Sequence, residues 1–113
     1  MIKLPEEVSY TDFKKLDIRI GTIESCEQVE GSDKLYRIKV DCGEEELRQI
    51  LSSLVDYYTP DELVGMRIPV IVNLKPAKIF GHMSYGMLLA AEIDDECVLL
   101  TTDQEIRNGA KVT

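Results

Sequence analysis

The chain has 113 residues, 44% of them hydrophobic, with 13 Lys plus Arg against 21 Asp plus Glu and a formal charge of −8. That size supports one modest core, burying roughly 65% of the unfolded surface, without disulfides and without a second domain. Residues 1–113 are therefore expected to form a single domain behind an N-terminal tail at 1–8. The acidic balance repels phosphate at long range, so any nucleic-acid role has to rest on a local basic patch.

Met1-Ile2-Lys3-Leu4-Pro5-Glu6-Glu7 turns acidic at once, and no apolar run approaches ~18 residues. Neither a leader nor a membrane span is expected, and the protein reads as cytoplasmic. Ser9 with Asp12 three residues on predicts one capped helical turn around Tyr10–Lys15. Asp17 to Glu24 then alternates apolar and polar and slips phase at Gly21, as a strand does when it bends at a glycine. After the turn cluster Gly31-Ser32-Asp33, residues 34–41 put Tyr36, Ile38 and Val40 on one face and Arg37, Lys39 and Asp41 on the other, a second strand.

The acidic loop Asp41 to Glu46 leads to a short third strand, Leu47-Arg48-Gln49-Ile50-Leu51. Thr59-Pro60-Asp61-Glu62 carries a capping Thr, Pro at the first helical position and Glu at the third, with Gly65 as a left-handed stop. Met66 to Val72 is β-branched enough for a buried fourth strand, provided Pro69 sits where no ladder donor is needed. Residues 73–86 read as one long connection to the last two strands, 86–92 and 97–101, which join across Asp94-Asp95-Glu96. This order predicts an all-β chain, most economically a five-stranded Greek-key OB-fold barrel with short helical turns and a C-terminal extension. Spacing alone leaves an SH3-like barrel or a small sandwich open.

Catalytic and metal chemistry find little support. Cys26, Cys42 and Cys97 stand 16 and 55 positions apart, which fits neither a disulfide framework nor paired metal ligands, and His82 is the only histidine. Small buried thiols in a reducing compartment are the expectation. Gly81-His82-Met83-Ser84-Tyr85-Gly86 resembles a nucleophile elbow but has His where Gly is required two residues before the Ser. No phosphate loop or dinucleotide fingerprint is present. A binding module without catalytic residues, cofactor or metal is expected.

The charge is unevenly distributed. Residues 1–66 hold 8 bases and 15 acids, residues 67–91 hold 3 bases and no acid, and residues 92–113 hold 2 bases and 6 acids. The 25-residue acid-free block contains Lys75 and Lys78 for phosphate, Phe80 and Tyr85 as stacking surfaces, Asn73 and Ser84 as neutral donors, and Gly81 and Gly86 where backbone can approach a ligand. Packing roles for Phe80, Tyr85 and Met87 are the alternative.

Asp17-Ile18-Arg19-Ile20-Gly21-Thr22-Ile23, Glu30-Gly31-Ser32-Asp33-Lys34-Leu35, Arg48-Gln49-Ile50, Tyr58 to Gly65, and Asn73 to Gly81 through Ser84 to Ala91 occur in an order that resembles the OB-fold tRNA-binding domain at the C-terminus of many methionyl-tRNA synthetases. The same module exists as free-standing tRNA-binding proteins, and the resemblance covers roughly residues 9–113. It implies a structure-selective, sequence-tolerant tRNA binder, usually a homodimer, acting as a trans-acting accessory (beta) subunit to a methionyl-tRNA synthetase catalytic subunit. Carried across by position, the implied tRNA-facing residues are Lys34, Arg48, Asn73, Lys75, Lys78, Ser84 and Met87. Lys34, Arg48, Lys75 and Lys78 would meet phosphates, Asn73 and Ser84 sugar or backbone oxygens, and Met87 would form an apolar floor. An export-chaperone branch of the same superfamily is similar in fold and binds peptides. It typically carries a Pro-Pro-Arg-Arg-like stretch where this chain has Lys75-Pro76-Ala77-Lys78, so these positions favour tRNA.

Overall fold

Local capping sets the helical turns in the computed structural model, which describes residues 4–113. The Ser9 hydroxyl accepts from the Asp12 N–H at 3.1 Å and starts α1 (Tyr10–Phe13). Thr59 and Glu62 close a reciprocal capping box at the start of α2 (Pro60–Leu63), whose one buried residue, Leu63, joins the core. Both turns fall where their caps predict.

Alternation sets the strands. In β1 (Ile18–Gln28), β2 (Tyr36–Asp41), β3 (Arg48–Ser52) and β4 (Arg67–Ile71) the inward residues Ile23, Ile38, Val40, Ile50, Ile68 and Val70 are almost wholly buried. The antiparallel sheet runs β3-β2-β1-β4-β7, with β7 spanning Met87–Leu88. It rolls up because the segment before β7 returns to β3: the Tyr85 N–H donates to the Gln49 carbonyl at 2.8 Å and the Leu51 N–H to the Ser84 hydroxyl at 3.0 Å. The result is a nearly closed OB-like barrel. Residues 109–112 extend along Ile18–Ile20, the start of β1 that β2 does not reach, where the Ile20 N–H donates to the Ala110 carbonyl at 2.9 Å and the Gly109 N–H to the Ile20 carbonyl at 2.7 Å.

Three features differ from the sequence reading. The burial phase of β1 does slip at Gly21, where a Cβ would sit 2.7 Å from Val40 Cγ1, but the pairing shift with β2 lies further on, between Ile23 and Ser25. The supposed loop at 73–86 contains a hairpin, β5 (Ala77–Ile79) and β6 (His82–Ser84), turned by Phe80 at φ 51° and Gly81 at φ 83°. Two consecutive left-handed residues make the turn whose twist suits a two-residue hairpin loop. Phe-Gly lacks the usual Asn or Asp that announces it.

The strand expected over 86–92 is split, for a reason that resides in Pro69. Opposite β1 its missing N–H costs nothing, because its partner Ile20 bonds to Gly109 and Ala110 instead. Opposite β7, the Leu89 N–H reaches the Pro69 carbonyl at 3.4 Å, but Pro69 has no proton to return. The Leu89 carbonyl accepts from the Leu100 N–H at 3.2 Å instead. Pairing with the barrel ends there, and β8 (Ala90–Ile93) and β9 (Glu96–Leu99) form a separate ribbon.

Cys42 and Cys97 are buried and Cys26 is partly so. Burial pushes the Cys26 and Cys42 thiols up to about 11, and burial, then the Glu92 carboxylate, raises Cys97. All three are protonated near neutral pH and act as small apolar groups. Among the described residues no helix is long and apolar enough to cross a membrane.

Candidate nucleic-acid interface

Because β2 buries alternate residues, Arg37, Lys39 and Asp41 face outward, and the register places Gln49 of β3 opposite Lys39. The β5–β6 hairpin leans on this face, where Gln49 Nε2 donates to the Met83 carbonyl at 2.9 Å. An open groove of about 790 Å³ lies between them. Lys39 and Arg48 contribute its cations, Glu44, Glu45 and Glu46 form an acidic wall, and His82 and Tyr85 line the hairpin side. Two cations against three carboxylates leave the groove itself without excess positive charge.

Lys75 and Lys78 do not line this groove; they stand on the approach to the hairpin and on β5. Both are exposed, and neither belongs to an ion pair among the described residues. Met87 is 47% exposed at the start of β7. At the hairpin tip Phe80 rests against the β1–β2 turn, so close that a Cβ on Gly31 would touch its Cε2 at 3.4 Å.

The other four expected contact residues have internal partners. Lys34 is exposed but ion-paired with Asp56, and that hydrogen bond raises its pKa. Arg48 is mostly buried and makes four internal hydrogen bonds. Its Nη1 donates to the Tyr85 and Val72 carbonyls at 2.7 and 3.2 Å, while Nε and Nη2 donate to the two carboxylate oxygens of Glu44 at 3.0 and 2.6 Å. The edge of the guanidinium that would take a phosphate is the one Glu44 holds. The Asn73 amide accepts from the Asp17 N–H at 2.8 Å and donates to the Lys15 carbonyl at 2.7 Å, tying the end of β4 to the α1–β1 link.

Ser84 is only 4% exposed, and its hydroxyl both accepts from Leu51 and donates to the Gly86 carbonyl at 3.3 Å. The hydroxyl expected to face sugar oxygens instead closes the barrel. Ser84→Ala would strand the buried Leu51 N–H and is expected to cost about 1–3 kcal/mol in a urea denaturation series. Tight RNA contact by Ser84 would instead show as lost affinity at unchanged stability.

Lys39 and Gln49 line the groove beside Arg48 and are not among the residues that the sequence points to. The signal was present, since β2 alternation already placed Lys39 on the outward face.

A family model described as "Putative tRNA binding domain" matches residues 18–111. The methionine-tRNA ligase of Archaeoglobus fulgidus is 50% identical over 107 residues, covering 95% of this chain and 16% of that protein. The corresponding ligase of Clostridium tetani is 46% identical over 109 residues, covering 95% and 17%. The chain thus spans about a sixth of the length of these curated relatives. Among solved structures, the MetRS related protein from Pyrococcus horikoshii has a TM-score of 0.89 at 34% identity, covering 96% of this chain and 100% of the other. Chaperone CsaA from Bacillus anthracis has a TM-score of 0.86 at 29% identity, covering 96% and 100%.

Proposed function

Since this chain belongs to the tRNA-binding domain family, we propose that it binds tRNA by shape and backbone charge, as a trans-acting accessory (beta) subunit of a methionyl-tRNA synthetase in the cytoplasm. The observation that carries the reading is the coincidence of the family match with an acid-free block whose Lys75 and Lys78 are exposed and unpaired among the described residues. Lys75, Lys78 and Lys39 meet phosphates, and Met87 packs against a sugar or base face. Lys34 and Arg48 contribute only where RNA displaces Asp56 and Glu44. The domain supplies binding and orientation, and the synthetase supplies the chemistry.

A homodimer fits this role. The β8–β9 ribbon packs Cys97 and Leu99 against the core and leaves Ile93 67% and Val98 56% exposed on its other face, an apolar surface suited to a second copy.

The test is a mobility shift with tRNA across a salt series. With about three phosphate contacts, log affinity is expected to fall against log salt with a slope of roughly −2 to −3, shallower than full engagement of Lys34 and Arg48 as well would give. Single-stranded DNA of equal length should compete poorly. A second reading, a peptide-binding chaperone, is favoured by the likeness to CsaA. It predicts suppression of aggregation and no shift, and that result would replace the first reading.

A further inference from the structure

Phe80 is one of two phenylalanines in the chain, and it occupies a turn position that backbone sterics disfavour. Its backbone is left-handed, at φ 51°, in the first of two turn positions where Asn, Asp or Gly is the ordinary choice. The residue is 57% exposed at the tip of the hairpin. A bulky ring held at a turn position that disfavours it, with most of the residue in solvent, points to a use other than core packing.

The surroundings indicate which function. Part of the ring lies against Gly31 in the turn Glu30-Gly31-Ser32-Asp33-Lys34, where the missing side chain lets the ring settle on backbone. The ring is therefore steadied, while over half of the residue remains open to solvent. Lys78 lies two residues earlier on β5, exposed and without an ion pair among the described residues. A steadied aromatic surface beside a free ammonium is the pairing that holds an unpaired nucleotide, with the base on the ring and its phosphate on the cation. Tyr85, the other aromatic of the acid-free block, is less suited, because it is 42% exposed and lines the groove together with Glu44, Glu45 and Glu46, whose carboxylates repel a nucleotide's phosphate.

We propose that Phe80 is a base-stacking residue that takes one unpaired nucleobase of the bound RNA. The inference rests on the tRNA-binding reading and deepens it, since stacking on an unpaired base adds recognition of loops and ends to contact with phosphates.

Two substitutions test it. Phe80→Gly suits the left-handed turn and removes the ring, so it should leave the melting temperature unchanged or slightly raised while weakening tRNA binding about 10-fold. A packing role predicts the reverse, a lower melting temperature at unchanged affinity, and would overturn the proposal. The chain contains no tryptophan, so Phe80→Trp introduces a single indole. Its emission should be quenched by tRNA and left unquenched by a blunt RNA duplex that binds through phosphates alone. Equal quenching by both, or none by tRNA, would also overturn it. If the parent protein shifts tRNA but Phe80→Gly binds equally well, only the stacking fails. If the parent shifts no tRNA, the functional reading fails first and takes the stacking with it.

Discussion

The double substitution Lys75→Glu with Lys78→Glu is expected to abolish tRNA retention, lowering affinity about 100-fold or more, while the melting temperature moves by no more than about 3 °C. Both ammonium groups are exposed and outside any ion pair among the described residues, so folding gives up nothing when they are reversed. Binding gives up two charge-assisted contacts, each worth roughly 1.5–3 kcal/mol, and gains two repulsive charges. The salt slope of whatever binding remains should be shallower by about 1.5, two phosphates at roughly 0.7 to 0.9 each. Lys34→Glu should do much less to affinity, because Lys34 already spends its charge on Asp56. A fall in stability comparable to the fall in affinity would assign Lys75 and Lys78 to packing and remove the basis of the proposed interface.

How much of this was legible in the sequence follows from how local each cause is. The caps at Ser9 and Thr59 act within three residues, so they read directly. The same holds for Tyr36, Ile38 and Val40, whose alternation fixes a buried face whichever strands flank it. The hairpin at 77–84 and the split after Leu88 could not be read in this way. The first depends on a Phe-Gly turn without the usual residue signature, and the second on which edge of β4 the donor-less Pro69 presents to β7.

The candidate site divides along the same line. An acid-free block is read directly from the sequence, and it leaves exposed Lys75 and Lys78 with no carboxylate nearby in the chain to pair with. Whether a polar group faces outward is decided by partners far away in sequence. Arg48 is claimed by residues 72 and 85, Asn73 by residues 15 and 17, and Ser84 by residue 51. Each has the chemistry for RNA, and each is also required by the barrel. The net charge of −8 has a similar hidden structure. Glu44 and Asp56 neutralise two of the expected cations, which concentrates the free positive charge near the hairpin.

Gly86→Ala is expected to cost the fold about 3–4 kcal/mol and to lower the melting temperature on the order of 15 °C. Gly86 sits at φ 150°, and a Cβ there would lie 2.9 Å from the Ile71 carbonyl, 3.3 Å from Val70 Cγ1 and 3.4 Å from Ile50 Cδ1. Those atoms belong to β4 and β3, the two strands that residues 84–88 must bridge to close the barrel. The glycine that read as a place for a ligand to approach is one where the protein approaches itself. Gly81→Ala provides the comparison: φ is also positive, at 83°, but nothing lies within 4 Å of the added carbon, so it carries the backbone strain without the clash and should cost about 1 kcal/mol. Thermal unfolding of the pair separates the two effects. Equal losses would mean that strain alone acts at both sites and that the barrel has slack where it closes. A much larger loss at Gly86 would show that the strand carrying Met87 is held by steric fit, as a surface built for a rigid, shape-selected partner requires.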